Sequence, residues 1–174
     1  KVKEHFSNPK NAREYRNYAV FALAIGCGLR RNEISTLNIE DIKGHTLHVT
    51  GKGDKARKSY LSKFTRKALD GWLNQLNRKK GPLFVHVTRG DRIKPDRLGI
   101  KGVHHVMQLI QKKCKLKDFT THDLRRTFAT TLLHANTDVF TVQSLLGHSD
   151  PMTTKRYDKR GEQGKIRAVN SLPF

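Results

Sequence analysis

The spacing of apolar and polar residues predicts a chain of several helices interrupted by two short strands. Apolar side chains recur at helical intervals in most segments, with polar residues on the opposite face. Glycines separate the first two helices, and Thr120 or Thr121 can cap the start of a later one. We predict helices over 11–25, 31–37, 64–76 and 103–114, from Thr120 or Thr121 onward, and over 139–146, 152–157 and 163–169.

Strict alternation of apolar and polar residues predicts strands around 47–50 and 58–62. The turn-rich segment GKGDKAR, residues 51–57, joins them, so we expect a β-hairpin. The run PLFV, 82–85, is a third candidate strand, and 88–97 is expected to be a charged loop. The fold class predicted is mainly α with a small antiparallel β-sheet (α+β), in a single domain over 1–174.

The net charge of the chain indicates what kind of partner it binds. The chain has 35 Lys and Arg against 15 Asp and Glu, a formal net charge of +20, and 36% hydrophobic residues. That apolar fraction supports a folded core, and the excess of positive charge predicts a polyanionic partner, nucleic acid first. We find no long amphipathic or apolar segment and expect no membrane partner. Cys27 and Cys114 lie far apart and are expected to be reduced thiols, as in a cytoplasmic protein.

Two adjacent arginines in HDLRR, 122–126, fall on different sides of a helix. Steps of about 100° per residue place Arg125 beside both His122 and the apolar stripe at positions 124, 128 and 132. We therefore expect Arg125 at the rim of the core and Arg126 in water. A half-buried arginine needs an anionic partner, either an internal carboxylate or a bound phosphate.

A second arginine, Arg30, begins a short helix in GLRRNEI, 28–34. Helix N-termini attract anions, and a guanidinium adds a fork that matches phosphate oxygens. Glu33 lies three residues later and can orient Arg30 through an ion pair. The alternative is a simple surface pair with no further role.

The glycine-rich segment GKGDKAR lacks the GxxxxGK[ST] pattern of a Walker loop, so it is not expected to bind a nucleotide. We interpret it as a hairpin tip that carries Lys52, Lys55 and Arg57. A lysine there can reach into a groove or an active site, or it can remain a solvated basic turn.

A histidine and a tyrosine stand near the C-terminus, at LLGHSD and KRYDKR. His148 precedes Tyr157 by nine residues. A free phenol has a pKa of about 10 and is a poor nucleophile, but neighbouring arginines favour the phenolate. Tyr157 is either an ordinary surface aromatic or a nucleophile for a phosphate. The nine histidines do not have the spacing of zinc ligands, so no metal site is predicted.

Taken together and in order, GLRRNEI, GKGDKAR, THDLRRTFAT, LLGHSD and the tyrosine nine residues on resemble the catalytic domain of tyrosine recombinases, the integrase family. The resemblance runs from about residue 11 to at least 157. It implies that Arg30 and Arg125 bind the nonbridging oxygens of a scissile phosphate, and that Glu33 supports them. It also implies that Tyr157 attacks the phosphorus and forms a 3′-phosphotyrosine.

The same resemblance assigns the proton transfers. Lys52 would protonate the leaving 5′-oxygen, His122 would accept the proton of the tyrosine, and His148 would contact the phosphate. Neither a metal ion nor ATP nor another cofactor is implied. Five further basic residues are expected to contact DNA: Lys55, Arg57, Arg126, Lys155 and Arg156.

The resemblance further implies assembly on double-stranded DNA. We expect a monomer when free and a homotetramer on DNA, with segment 158–174 exchanged between protomers. The N-terminal core-binding domain of such proteins is expected to lie outside this chain. A bacterial cytoplasm, with a phage or mobile-element origin, is the expected setting.

Four other interpretations remain open from the sequence. The task can be integration or excision of a mobile element, which the terminal segment weakly favours, or Xer-type resolution of chromosome dimers. The chain can instead relax DNA like a type IB topoisomerase. It can also be an inactive DNA-binding module or, last, a metal-dependent nuclease.

Overall fold

The computed structural model describes residues 2–5, 8–51, 56–147, 157, 166 and 169–170. Within these residues the main elements are seven helices, a short 3₁₀ helix at Ile39–Asp41 and five strands. The helices are α1 (Val2–His5), α2 (Ala12–Gly26), α3 (Arg31–Thr36), α4 (Lys63–Leu76), α5 (Ile100–Cys114), α6 (Thr121–His134) and α7 (Val139–Leu146). The strands are β1 (Ile42–Lys43), β2 (Thr46–Thr50), β3 (Ala56–Tyr60), β4 (Val85–Val87) and β5 (Ile93–Arg97).

Local chemistry explains where the helices begin. The side chains of Asn11, Ser62, Thr120 and Asp138 each accept a hydrogen bond from the backbone three residues later, at the starts of α2, α4, α6 and α7. These starts confirm the helices predicted at 11–25, 64–76, 139–146 and from Thr120 or Thr121. The helices predicted at 152–157 and 163–169 fall largely outside the described residues.

Two antiparallel sheets accompany the helices. Strands β1, β2 and β3 form one sheet, and the predicted hairpin is β2 and β3, with Val49 opposite Arg57. Strands β4 and β5 form the other sheet, so the prediction of a loop over 88–97 was wrong for β5. Four of the five β5 residues are exposed, and Pro95 lies within the strand, where the register with β4 shifts. Because β5 is held by backbone pairing with β4, it carries almost no apolar pattern that a sequence could show.

The core forms around α2, which is apolar on more than one face and contacts α4, α5 and α6. The single tryptophan, Trp72 of α4, is fully buried and donates its indole N–H to the carbonyl of Leu83 at 2.8 Å. A smaller apolar cluster lies between α6 and α7 and contains Ala129, Leu133, Val142 and Leu146. Among the described residues, no helix combines the length and apolar character that crossing a membrane requires.

Candidate active site

A buried carboxylate, Glu33 of α3, lies at the centre of three arginines from three different elements. Its oxygen Oε1 is 3.0 Å from Nη1 of Arg30 and 2.8 Å from Nη1 of Arg57. The other oxygen, Oε2, accepts Nη2 of Arg57 at 2.9 Å and lies 4.0 Å from Nη1 of Arg125. The structure therefore brings together Arg30 and Arg125, the two arginines that the sequence singled out.

The charge of Glu33 depends on these neighbours, because only 2% of its side chain is exposed. Burial alone would raise the pKa of the carboxyl group, but hydrogen bonds from Arg57 and from the backbone N–H of Arg30 outweigh it. The charges of Arg57 and Arg125 act in the same direction, and the pKa of Glu33 is lowered overall. Glu33 is therefore a carboxylate at neutral pH and holds the arginines around it.

Arg125 of α6 lies deeper than its sequence indicated. Its side chain is 2% exposed, and it donates to the carbonyls of Gly28 and Leu146 at 2.6 Å each. The prediction that Arg125 lies at the rim of the core was wrong. The residues of α6 that are buried are Thr121, Leu124, Arg125, Ala129 and Leu133, so the inward face is centred on Arg125 rather than on the stripe at 124, 128 and 132.

The electrostatic surroundings of Arg125 are predominantly positive. Burial, followed by the charge of Arg30, lowers the pKa of its guanidinium to about 10; Arg57 also lowers it, while Glu33 and Tyr157 raise it. Arg125 is still protonated at neutral pH. Three guanidinium groups against one carboxylate leave a formal excess of two positive charges. Such a cluster attracts an anion, and Arg30, with 46% of its side chain exposed, is its most accessible member.

Tyr157 lies beside this cluster. It is partly buried and packs against the small apolar cluster between α6 and α7. It is close enough to Arg125 to influence the pKa of the guanidinium. The phenol of Tyr157 thus lies near the arginine cluster, and this proximity is what a phosphate-directed nucleophile requires.

His122 and Arg126 lie on the same helix as Arg125, and both are exposed. His122 precedes Arg125 by one helical turn, and Arg126 faces water as predicted. Five other residues of the expected site fall outside the described residues: Lys52, Lys55, His148, Lys155 and Arg156. The described residues next to them are Gly51 and Ala56 in the hairpin, Gly147 at the end of α7, and Tyr157 itself.

Arg57 does not sit where a hairpin-tip arginine was expected. It belongs to β3, its side chain is 11% exposed, and its guanidinium faces Glu33. Its Nε also donates to the carbonyl of Leu145 at 3.2 Å. Arg57 lies directly opposite Val49 in the hairpin, and opposite residues point to the same face of a sheet. Because Val49 is buried, this pairing indicates that Arg57 points inward.

The carbonyls of Gly28 and Leu146, which bind Arg125, escaped the sequence reasoning, since backbone acceptors leave no pattern in a sequence. For metals, the part of the chain that the structure describes contains no group of three or more His, Cys, Asp or Glu side chains arranged to hold an ion. The chemistry available here is that of arginines, a carboxylate, a histidine and a phenol.

Comparison with known proteins extends this picture. Residues 2–163 match the phage integrase family. Tyrosine recombinase XerC of Caldanaerobacter subterraneus subsp. tengcongensis is 35% identical over 166 residues, covering 91% of this chain and 45% of that protein. Tyrosine recombinase XerD of Lacticaseibacillus casei is 34% identical over 158 residues, covering 85% of this chain and 52% of that protein. The chain spans about half the length of these curated relatives.

Solved structures share the architecture. The crystal structure of XerA recombinase superimposes with a TM-score of 0.74 at 22% identity, covering 99% of this chain and 62% of that one. XerH site-specific recombinase bound to a palindromic difH substrate, a post-cleavage complex, gives a TM-score of 0.73 at 23% identity, covering 98% of this chain and 50% of that one. At these identities the likeness shows the fold alone, and it confirms the fold class predicted from the sequence.

Proposed function

Because the chain belongs to the phage integrase family, we propose that it breaks and rejoins DNA strands at specific sites through a covalent bond between Tyr157 and the 3′-phosphate. This membership agrees with the resemblance seen in the sequence. The observation that carries the proposal is the cluster of Arg30, Arg125 and Glu33 beside Tyr157. Its excess positive charge suits a phosphodiester whose negative charge increases in the transition state.

The proposed reaction exchanges one phosphate ester for another. The oxygen of Tyr157 forms a bond to phosphorus while the bond from phosphorus to the 5′-oxygen breaks. His122 takes the proton of the phenol, and Lys52 supplies a proton to the departing 5′-oxygen. A 5′-hydroxyl then attacks the phosphotyrosine in the reverse sense and rejoins a strand. The energy of the broken bond is kept in the tyrosine ester, so the reaction is expected to proceed without ATP.

The arginines stabilise the phosphate during this exchange. Arg30 offers its exposed guanidinium to one nonbridging oxygen, and Arg125 supplies the second charge from within the site. His148, two residues after Leu146 in the sequence, is proposed to contact the same phosphate. Glu33 orients Arg30 through a contact of 3.0 Å, while Arg125, 4.0 Å from Glu33, is held by the carbonyls of Gly28 and Leu146.

DNA is the proposed partner because the net charge is +20 and because structural neighbours such as XerH were solved on DNA. Lys55, Arg126, Lys155 and Arg156 are proposed to bind the phosphate backbone, which predicts an affinity that falls steeply with salt. A homotetramer on DNA with exchange of 158–174 remains part of the proposal. A bacterial cytoplasm fits the bacterial origin of the relatives.

Covalent capture tests the chemistry. The protein would be incubated at low salt, in EDTA, with a pool of nicked suicide duplexes of random sequence, and SDS-resistant adducts would be isolated and sequenced. We expect adducts from the wild type and none from Tyr157→Phe. Tyr60→Phe is the matched control, because Tyr60 is 59% exposed on β3 and has no proposed role. Capture by Tyr157→Phe at the wild-type level would show that another residue is the nucleophile.

The rival activities give different outcomes. Full DNA affinity without any adduct from the wild type would support an inactive DNA-binding module. Relaxation of supercoiled plasmid without joining of two partners would support a type IB topoisomerase. Loss of cleavage in EDTA would point to a metal-dependent nuclease.

Two biological settings remain within the proposed chemistry. The sequence favours integration or excision of a mobile element, while the similarity to proteins named XerC and XerD supports an Xer-type role. The position of the captured sequences in the genome that encodes this chain distinguishes the two settings. Sites at the ends of an element support the first setting, and a single chromosomal site supports the second.

A further inference from the structure

We propose that Arg57 is a positioning residue of the recombinase site, acting on the scissile phosphate through Glu33 and the end of α7, and not a contact to DNA. This inference rests on the proposed function. It replaces the role that the sequence predicted for Arg57. Three observations carry it: the contact with Glu33, the contact with Leu145, and the small exposure of the side chain.

The contact with Glu33 is a two-pronged one. Nη1 and Nη2 of Arg57 donate to Oε1 and Oε2 of Glu33 at 2.8 and 2.9 Å. Parallel bonds of this kind fix the plane and the position of a carboxylate, which a lysine cannot do. The same carboxylate oxygens bind Arg30 and approach Arg125. Arg57 therefore determines where the central charge of the site lies.

A second contact joins Arg57 to the end of α7. Its Nε donates to the carbonyl of Leu145, and the next carbonyl, that of Leu146, accepts a hydrogen bond from Arg125. The two arginines thus bind successive carbonyls at the negative end of the same helix. The stem of Arg57 also packs closely on Gly147, where an added Cβ would lie 2.8 Å from Cδ of Arg57. Arg57 therefore also contacts the residue that ends α7.

The exposure of Arg57 argues against a direct contact with the DNA backbone. Only 11% of its side chain is exposed, and Nε, Nη1 and Nη2 all donate to groups within the protein. Its remaining N–H groups have little exposed surface through which a DNA phosphate could reach them. The next residue along β3, Lys58, is exposed and is better placed for that contact.

Loss of Arg57 has a specific consequence for the two catalytic arginines. Glu33 would lose both bonds to Arg57 and would turn toward Arg30 and Arg125, its remaining positive neighbours. Both guanidinium groups would then be less available to the phosphate. We therefore expect a slower chemical step at unchanged DNA affinity, since the surface that faces DNA is not altered.

The test compares Arg57→Ala and Arg57→Lys with Lys58→Ala. The substrate is a DNA site identified by the covalent-capture experiment. Single-turnover cleavage at saturating protein and equilibrium DNA affinity are measured separately. We expect both Arg57 variants to cleave roughly 100-fold more slowly, the scale of a misplaced catalytic group, with wild-type affinity. Lys58→Ala is the comparison for a direct DNA contact, and it is expected to weaken binding. Arg57→Lys retains the positive charge and the aliphatic part of the side chain. It can therefore still be compared with wild type if Arg57→Ala does not fold.

A neutral phosphate separates positioning from a general structural role. In a methylphosphonate substrate one charged nonbridging oxygen is replaced by a methyl group, so the reaction depends less on the arginines. If Arg57 acts through them, its variants lose less activity, relative to wild type, on the methylphosphonate than on the phosphodiester. An equal loss on both substrates indicates a structural role and overturns the inference.

The remaining outcomes distinguish failure of this inference from failure of the proposed function. Normal cleavage by the Arg57 variants, or weaker binding with a normal saturated rate, also overturns the inference while leaving the proposed function intact. The absence of any adduct from wild type overturns the proposed function and this inference with it.

Discussion

The guanidinium of Arg125 donates a hydrogen bond of 2.6 Å to the carbonyl of Gly28, a residue 97 positions earlier in the chain. Gly28 adopts a φ of +62°, a conformation that side chains disfavour. An added Cβ would lie 2.7 Å from Cδ1 of Phe128 and 2.9 Å from Cδ2 of Leu146. The glycine therefore lets the turn after α2 approach α6 and α7 closely enough to offer its carbonyl to the arginine.

Gly28→Ala is expected to destabilise the fold through both backbone strain and crowding. The left-handed conformation costs roughly 1–2 kcal/mol for a non-glycine residue, and the overpacking adds roughly 1–3 kcal/mol. Gly44→Ala is the matched control, because Gly44 has a φ of +58° and nothing within 4 Å of its added Cβ. Denaturant unfolding followed by Trp72 fluorescence measures both. Equal losses for the two variants would show that crowding around Gly28 is unimportant.

Glu33→Gln is expected to reduce stability at neutral pH by roughly 3–5 kcal/mol, the usual cost of removing one partner from a buried ion pair. The pKa of Glu33 in the folded state lies below its unfolded value of about 4.3. Its carboxylate therefore stabilises the fold fully above that pH, and the contribution is lost as the pH falls through the folded pKa. The difference in unfolding free energy between wild type and variant should shrink accordingly in acid.

Unfolding curves at several pH values would measure this difference. Asp70→Asn serves as the control, because Asp70 forms a partly exposed pair with Arg66 and should contribute at most about 1 kcal/mol. A gap between wild type and Glu33→Gln that stayed constant down to strongly acidic pH would contradict the charged role of Glu33.

The parts of this molecule that the sequence predicts well are those governed by local chemistry. Asn11 and Thr120 are N-caps because their side chains accept backbone N–H groups a few residues away, and this needs no tertiary contact. The hairpin of β2 and β3 follows from alternation on both sides of a glycine-rich turn. The pairing of Arg30 with Glu33 is local as well, three residues apart.

The features that the sequence does not predict depend on hydrogen bonds to backbone groups outside the element itself. The inward face of α6 was misplaced because an arginine counts as polar in any periodicity, whereas Arg125 is buried by the carbonyls of Gly28 and Leu146. Strand β5 escaped prediction because it is stabilised by pairing with β4 rather than by burial. In both cases the partner is a backbone group, which leaves no side-chain pattern in the sequence.

Arg126→Ala is expected to weaken DNA binding and to leave the saturated cleavage rate unchanged. Arg126 is exposed on α6 next to the buried Arg125, so it can neutralise a phosphate without belonging to the cluster around Glu33. Removing one phosphate contact should lower the slope of log affinity against log salt by about 1. Arg66→Ala removes the same charge from α4, where Arg66 already binds Asp70. If the slope of log affinity against log salt changed equally in both variants, the effect would come from net charge alone and not from a phosphate contact at Arg126.

Thr120→Ala tests whether the start of α6 holds the catalytic residues of that helix in place. The hydroxyl of Thr120 accepts the N–H of Asp123, and the Asp123 carboxylate accepts the N–H of Thr120 at 2.8 Å. Loss of this capping box should cost about 1 kcal/mol. Because the first turn carries His122, fraying there should also slow cleavage. Thr127→Ala, an exposed mid-helix change whose hydroxyl donates only to the carbonyl of Asp123, should leave both stability and cleavage near wild type. If both variants lost activity to the same extent, the cap would have no particular role in placing His122.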